Sequence, residues 1–340
     1  MDENLNTTPK SFLTGQKALT QLLGDVRGGT VRQAYIFEGL RGIGKFTAAE
    51  LFAAAVHCKG ETKPCFKCEQ CKMHMAGTHS DLYVVGDGER SLKIDDIRTL
   101  TDELYIRPAL SDKKIFIVRG SDGMNAAAQN ALLKSFEEPP EYGVIILLSE
   151  NSENLLPTIR SRGVKIVFEP FPAEKIEKYI KTVYPLKAHE AGFISRYSGG
   201  IIGRAIDICE SADFFEEREK MFDACAQLTG DRLSILGVSE VFEVRSRKQN
   251  ADTCAVHFDL FLSFMRDAAA LKTTGKILNE DKRPLIESFS SKTTLGAVLR
   301  VIERTAEVKR QLNVSMKYEL WIMNLLINCW EDIHGKSNRS

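Results

Sequence analysis

Residues Gly39-Leu40-Arg41-Gly42-Ile43-Gly44-Lys45-Phe46-Thr47 decide the fold class. Just before them, Gln33-Ala34-Tyr35-Ile36-Phe37 reads as a short buried strand, and 46–55 just after them reads as a helix. Strand, glycine-rich turn, lysine and helix is the layout of a phosphate-binding loop. The glycines let the backbone curl so that several N–H groups face one anion, and the helix N-terminus adds partial positive charge there. Gly39, Gly42, Gly44 and Lys45 are the candidate phosphate-binding residues, with Lys45 reaching the outer phosphates as a point charge. The motif then asks for Ser or Thr directly after the lysine, to hold Mg²⁺. Phe46 stands there, and Thr47 comes one residue late. One residue on a helix is a rotation of about 100°, so Thr47 is expected to point elsewhere. The loop is suited to phosphate and poorly suited to its metal, and whether it retains ATP is left open by these residues.

Working outward, short apolar runs alternate with helical patterns. Strands are expected at 81–86, 114–118, 144–148 and 164–168, and helices at 16–26, 94–105, 126–137 and 156–160. The strand runs are apolar on both faces, which predicts a parallel five-stranded sheet covered on both sides. After Pro170-Phe171-Pro172 no further strand run occurs. Short helices are expected at 173–183, 188–197 and 203–211. Longer ones follow at 214–228, 233–244, 255–271, 293–312 and 317–330. In the last of these, Trp321, Ile322, Leu325, Leu326 and Trp330 make an apolar face. The expected division is an α/β domain at 1–169, a small helical domain at 170–212 and an all-α domain at 213–340, with two or three domains suiting 340 residues.

The charge balance, 46 Lys+Arg against 46 Asp+Glu, gives no overall argument for nucleic acid. No run is long and apolar enough for a membrane span, and Met1-Asp2-Glu3-Asn4 lacks a basic region followed by an apolar one. A cytoplasmic protein is expected. Four of the eight cysteines cluster as Cys58-x6-Cys65-x2-Cys68-x2-Cys71. In a cytoplasmic chain such a cluster favours metal over disulfides. Four thiolates suit a structural Zn²⁺ with no position left open for catalysis. The alternative is a set of buried free cysteines, but the regular spacing amid Lys59, Lys63, Lys67 and Lys72 speaks against it. His57, His74 and His79 flank the cluster and are read as surface histidines rather than further ligands.

Gln33 to Gly39, the cysteine knuckle placed after the phosphate-loop helix, the run Asn130-Ala131-Leu132-Leu133-Lys134-Ser135-Phe136-Glu137-Glu138-Pro139-Pro140, and Leu156-Pro157-Thr158-Ile159-Arg160-Ser161-Arg162 occur in a familiar order. On these residues the chain resembles the bacterial clamp-loader AAA+ family of the DNA polymerase III holoenzyme over about 1–170. The all-α remainder matches only in length and helical character. The resemblance implies a small helical lid at 170–212 and a helical collar at 213–340. It also implies a hetero-pentameric ring with gamma/tau and delta subunits that uses ATP to open the sliding clamp and place it on primer-template DNA. In such a ring one subunit supplies the phosphate loop and its neighbour an arginine. Arg162 falls on that arginine finger, although Gly163 stands where the family usually has cysteine, and Arg204 falls near a nucleotide-sensing arginine of the lid.

Active ATPases of the family carry Asp-Glu after the third strand, for Mg²⁺ and for activating water. Here Arg119-Gly120 take those places, and Asp122 lies further on. With Phe46, both metal positions are lost. The implied role is that of a non-hydrolysing DNA replication subunit, not an enzyme by itself, that lends Arg162 to a neighbour. An active clamp-loader ATPase of the gamma/tau kind is the first alternative. A zinc-dependent nucleic-acid-binding module is the second; it would want a basic groove with exposed aromatics.

Overall fold

Five apolar runs form one sheet: β1 (Ala34–Glu38), β2 (Leu82–Val85), β3 (Lys114–Arg119), β4 (Gly143–Ser149) and β5 (Val164–Val167). These come from a computed structural model, which describes residues 12–13, 15–88, 92–242, 251–311 and 318–335. The strand order is β2-β3-β4-β1-β5 and every adjacent pair is parallel, as the doubly apolar runs predict. β3 and β4 are buried along nearly their whole length.

Side chains alternate across a strand, and β1 shows the consequence. Tyr35 and Phe37 turn to one face, where Tyr35 meets Phe52 of α2 (Lys45–His57) with ring centroids 5.2 Å apart. Ile36 turns to the other face. There it joins a core with Ile97, Leu104, Phe116, Leu132, Phe136 and Ile145. That core is closed by α4 (Ile94–Leu104) and α5 (Ala126–Glu137). The other helices among the described residues of this part are α1 (Lys17–Arg27), α3 (Glu69–Ala76), α6 (Pro157–Arg160), α7 (Ala173–Val183), α8 (Ala188–Tyr197) and α9 (Ile202–Glu210). The helix α3, inside the cysteine region, is not anticipated from the sequence.

The chain divides into two compact units, 1–209 and 210–340. The second is all-helical among its described residues: α10 (Phe214–Gln227), α11 (Ser234–Phe242), α12 (Ala251–Leu271), α13 (Arg283–Ser291), α14 (Leu295–Gln311) and α15 (Tyr318–Ile333). The expected ends at 243–244, 312 and 317 lie outside the described residues, and α13 was not anticipated. Its core is aromatic: Phe264 stacks edge-on with both Phe222 and Phe289 at 5.1–5.2 Å. The expected apolar face of α15 is sorted by the fold. Ile322, Leu325, Leu326 and Trp330 are buried, whereas Trp321 is exposed.

The register brings Glu38, Arg119 and Ser149 to the carboxyl edge of the sheet. β1 lies between β4 and β5, so the connections diverge beside it. In open α/β sheets the crevice at such a point is where ligands bind, and the glycine-rich loop starts there.

Candidate functional site

The loop between β1 and α2 has the backbone its glycines permit. Gly42 and Gly44 have φ of 78° and 101°, values that favour glycine. A Cβ on Gly44 would stand 2.6 Å from Leu13 Cδ2, and one on Gly42 3.0 Å from Ile201 Cγ2. The loop is therefore packed from both sides. Gly203 N–H, at the start of α9, donates to the Gly42 carbonyl at 2.9 Å. Lys45 folds back: its ammonium donates to the carbonyls of Gly39 and, at 3.1 Å, of Leu40. Burial lowers its pKa, opposed by the nearby carboxylates of Glu150 and Asp122. Gly39, Gly42, Gly44 and Lys45 are thus together, and the lysine satisfies itself on its own loop.

Phe46 and Arg119, far apart in sequence, are in contact. The Arg119 guanidinium lies 4.5 Å from the Phe46 ring centroid. A Cβ on Gly88 would approach Arg119 Nε and Nη2 to 3.3 Å, so the guanidinium is held closely on that side too. Such a cation–π contact is worth about 0.5–2 kcal/mol according to exposure. The residue after the phosphate-loop lysine and the residue ending β3 therefore form one stacked pair of a ring and a cation. Asp122 sits in the turn beyond, where its carboxylate accepts from Glu150 N–H at 3.3 Å.

Arg162 follows α6, whose start is fixed by Gln129. That buried amide accepts from Leu156 N–H at 2.7 Å and donates to the carbonyls of Met124 and Asn154. Ile159, fully buried, anchors the turn, and both Arg162 N–H and Gly163 N–H donate to its carbonyl. The Arg162 side chain is half-exposed. Its Nη2 pairs with Glu137 Oε1 at 3.1 Å, and its Nη1 donates to the Thr158 carbonyl at 3.0 Å. Glu137, Gln129 and the Phe46–Arg119 pair are the features that sequence reading missed as partners. Arg204 lies over the Tyr197 ring at 4.6 Å.

The four cysteines converge, with all four sulfurs within 4.8 Å of one another. Cys65 and Cys71 are 3.9 Å apart and Cys58 and Cys68 4.0 Å. Thiolates about 2.3 Å from a tetrahedral ion would lie about 3.8 Å apart. Backbone N–H groups of Gly60 and Cys65 donate to Cys58 Sγ, and those of Lys67 and Cys68 to Cys65 Sγ. These N–H groups draw the Cys65 thiol down to about 6, while burial pushes the Cys71 thiol well up. Cys58 ends α2, Cys68 caps α3 and Cys71 lies within it. The set can hold a metal ion.

His57, His74 and His79 correct the surface reading, for all three are buried and stacked, with ring centroids 4.3–5.0 Å apart. They are proximate enough to suggest a second ligand set. Hydrogen bonding points elsewhere: His57 Nδ1 meets His74 Nε2 at 2.9 Å. His79 uses both nitrogens, accepting from Asp81 N–H at 3.1 Å and donating to Gln70 Oε1. The stack joins α3 to the edge of the sheet, with Gln70 also bound by Ser111 Oγ.

Among the described residues no helix is long and apolar enough to cross a membrane. Two family models match the chain. One, described as DNA polymerase III, delta subunit, matches residues 14–172. The other, its C-terminal counterpart, matches residues 212–331. The chain is 25% identical over 319 residues to DNA polymerase III subunit delta' of Bacillus subtilis, covering 92% of this chain and 94% of the relative. It is 36% identical to subunit delta' of Pseudomonas aeruginosa over 43% of this chain and 46% of that one. It is 32% identical to subunit tau/gamma of Haemophilus influenzae over 51% of this chain and 26% of that one. The first similarity covers nearly the whole of both chains, whereas the tau/gamma match covers about half of this one. With both halves matched by models of one family, the chain belongs to the DNA polymerase III delta-subunit family and is delta-prime-like within it.

Proposed function

We propose that this chain is the delta-prime-like accessory subunit of a DNA polymerase III clamp loader, that it does not hydrolyse ATP itself, and that it donates Arg162 to ATP held by a neighbour. The observation that carries the reading is the Arg119–Phe46 stack at 4.5 Å. Phosphoryl transfer in this family needs a divalent cation held by a hydroxyl after the lysine and by a carboxylate ending the third strand. Here the first position offers a ring and the second a cation, so neither can ligate Mg²⁺ and the guanidinium repels it. The loop's own lysine is turned onto Gly39 and Leu40.

What remains useful is the half-exposed arginine between α6 and β5. Charge builds on the transferring phosphoryl oxygens, and a guanidinium supplied in trans stabilises it. The partners are gamma/tau and delta subunits in a hetero-pentameric ring, with sliding clamp and primer-template DNA reached through the complex in the cytoplasm. The knuckle holds one structural Zn²⁺ on Cys58, Cys65, Cys68 and Cys71. Residues 170–212 act as the lid, which the Gly203–Gly42 hydrogen bond supports, and 213–340 as the collar.

Steady-state ATPase of the purified chain is the test. Activity should equal background and be unchanged by Lys45→Ala. Turnover that disappears in Lys45→Ala would instead favour the gamma/tau-like reading, which the partial similarity to such subunits keeps in view.

A further inference from the structure

We infer that Glu137 is a positioning residue that holds the Arg162 guanidinium in a parked state from which a neighbour's nucleotide must draw it. This rests on the finger reading of Arg162. The guanidinium fork is committed to its own chain on two sides: Nη2 to Glu137 Oε1 at 3.1 Å, and Nη1 to the Thr158 carbonyl at 3.0 Å and Ser161 Oγ at 3.4 Å. An arginine that grips a phosphate with both arms of its fork has to release at least one of these contacts.

Glu137 is placed where its charge does nothing for its own helix. It is the last residue of α5. The C-terminal end of a helix carries partial negative charge, so a carboxylate there is mildly unfavourable. Arg162 compensates that charge, and the carboxylate in return cancels the positive charge that a finger presents to phosphate. The side chains are 42% and 36% exposed. Water screens such a pair, so it is a weak constraint, strong enough to park the arginine and weak enough to open. The pair also gives the Glu137-Glu138-Pro139-Pro140 run a division of labour. Gln33 Nε2 binds the Pro139 and Pro140 carbonyls and fixes the run against β1, which places the end of α5 beside Arg162.

The test is a double-mutant cycle in the reconstituted loader, with its gamma/tau and delta partners, clamp and primed DNA, at equal assembly. The readout is the share of ATP turnover that Arg162→Ala removes. Glu137→Gln keeps an acceptor and removes the charge. It should raise the Arg162-dependent rate, the turnover lost on Arg162→Ala, by about two- to fivefold, the size an exposed ion pair yields. The change should fall on kcat rather than on KM, because the finger acts in the transition state. In the Arg162→Ala background Glu137→Gln should change nothing. If Arg162→Ala lowers turnover but Glu137→Gln leaves it unchanged, lowers it, moves only KM, or acts equally without Arg162, parking is overturned and the finger stands. If Arg162→Ala itself leaves turnover at the wild-type level, the finger reading fails and this inference falls with it.

Discussion

Gly163, directly after Arg162, stands where a Cβ would come within 2.7 Å of Ile36 Cγ1 and 3.1 Å of Phe136 Cζ. Ile36 lies in the middle of β1 and Phe136 in α5, both buried, so neither can step aside without disturbing the sheet or its covering helix. The cysteine usual in the family would not fit this core; the space is already filled by the two larger side chains. Gly163→Ala should therefore destabilise the protein by about 1–3 kcal/mol, the ordinary range for overpacking a full core. Thermal or denaturant unfolding measures it, and a variant as stable as the parent would show that the wall of the pocket yields. At this scale the sequence was legible where chemistry is local. The glycines, Lys45 and the missing hydroxyl at Phe46 are read from nine adjacent residues. The Phe46–Arg119 stack and the Arg162–Glu137 pair were not legible. Each joins residues brought together only by the order of strands in the sheet, and no spacing rule connects them.

Elements with an apolar period were legible almost to the residue, α5 and α8 among them, because burial and hydrophobicity there coincide. The helix α3 shows the opposite case. Its buried residues are Gln70, Cys71 and His74, so the inward face carries an amide, a thiol and an imidazole and no apolar period to detect. The shortness of α13 hid it, although Pro284 in its first turn and the buried pair Ile286 and Phe289 were signals. The structure of α3 bears on the metal. Cys68 caps it and Cys71 lies one turn in, while Cys58 ends α2. An ion on the four sulfurs would tie the two helices to the loop between them. Protein purified without an affinity tag should contain one zinc per chain, and Cys68→Ser should lose most of it. Elemental analysis checks both. Zinc near zero in the parent would leave the four sulfurs as free thiols, and zinc undiminished in Cys68→Ser would show that the ion does not depend on Cys68. Chelation should loosen the knuckle while sparing the sheet, since β3 and β4 are buried independently of it.

On the scale of the whole molecule, the question is how an arginine in one unit depends on the other. The first unit, 1–209, holds the sheet, the knuckle and Arg162; the second, 210–340, holds only helices among its described residues. The second has its own means of folding. Its aromatic core joins Phe222, Phe264 and Phe289, and a buried polar network ties its loops. Arg218 binds Asp281 through two nitrogens at 2.8 Å and also Asn279 Oδ1. Asn279 in turn donates to Ser263 and Asp267. The same unit exposes Leu233 at 69%, Leu236 at 50% and Leu320 at 60%. If the collar assembles the ring, it delivers Arg162 to a neighbour's ATP at high effective concentration, and severing the units removes that advantage. A fragment of residues 210–340 should be helical by circular dichroism, melt cooperatively and enter the loader in place of the full chain. A fragment of residues 1–209 should keep its zinc yet fail to restore the Arg162-dependent share of turnover, alone or mixed with the collar fragment. Were 1–209 alone to restore that share, the collar would not be what seats the finger. An unfolded 210–340 fragment would show instead that the helical unit draws its stability from the first. Separate expression and co-purification with the partner subunits distinguish the two before any rate is measured.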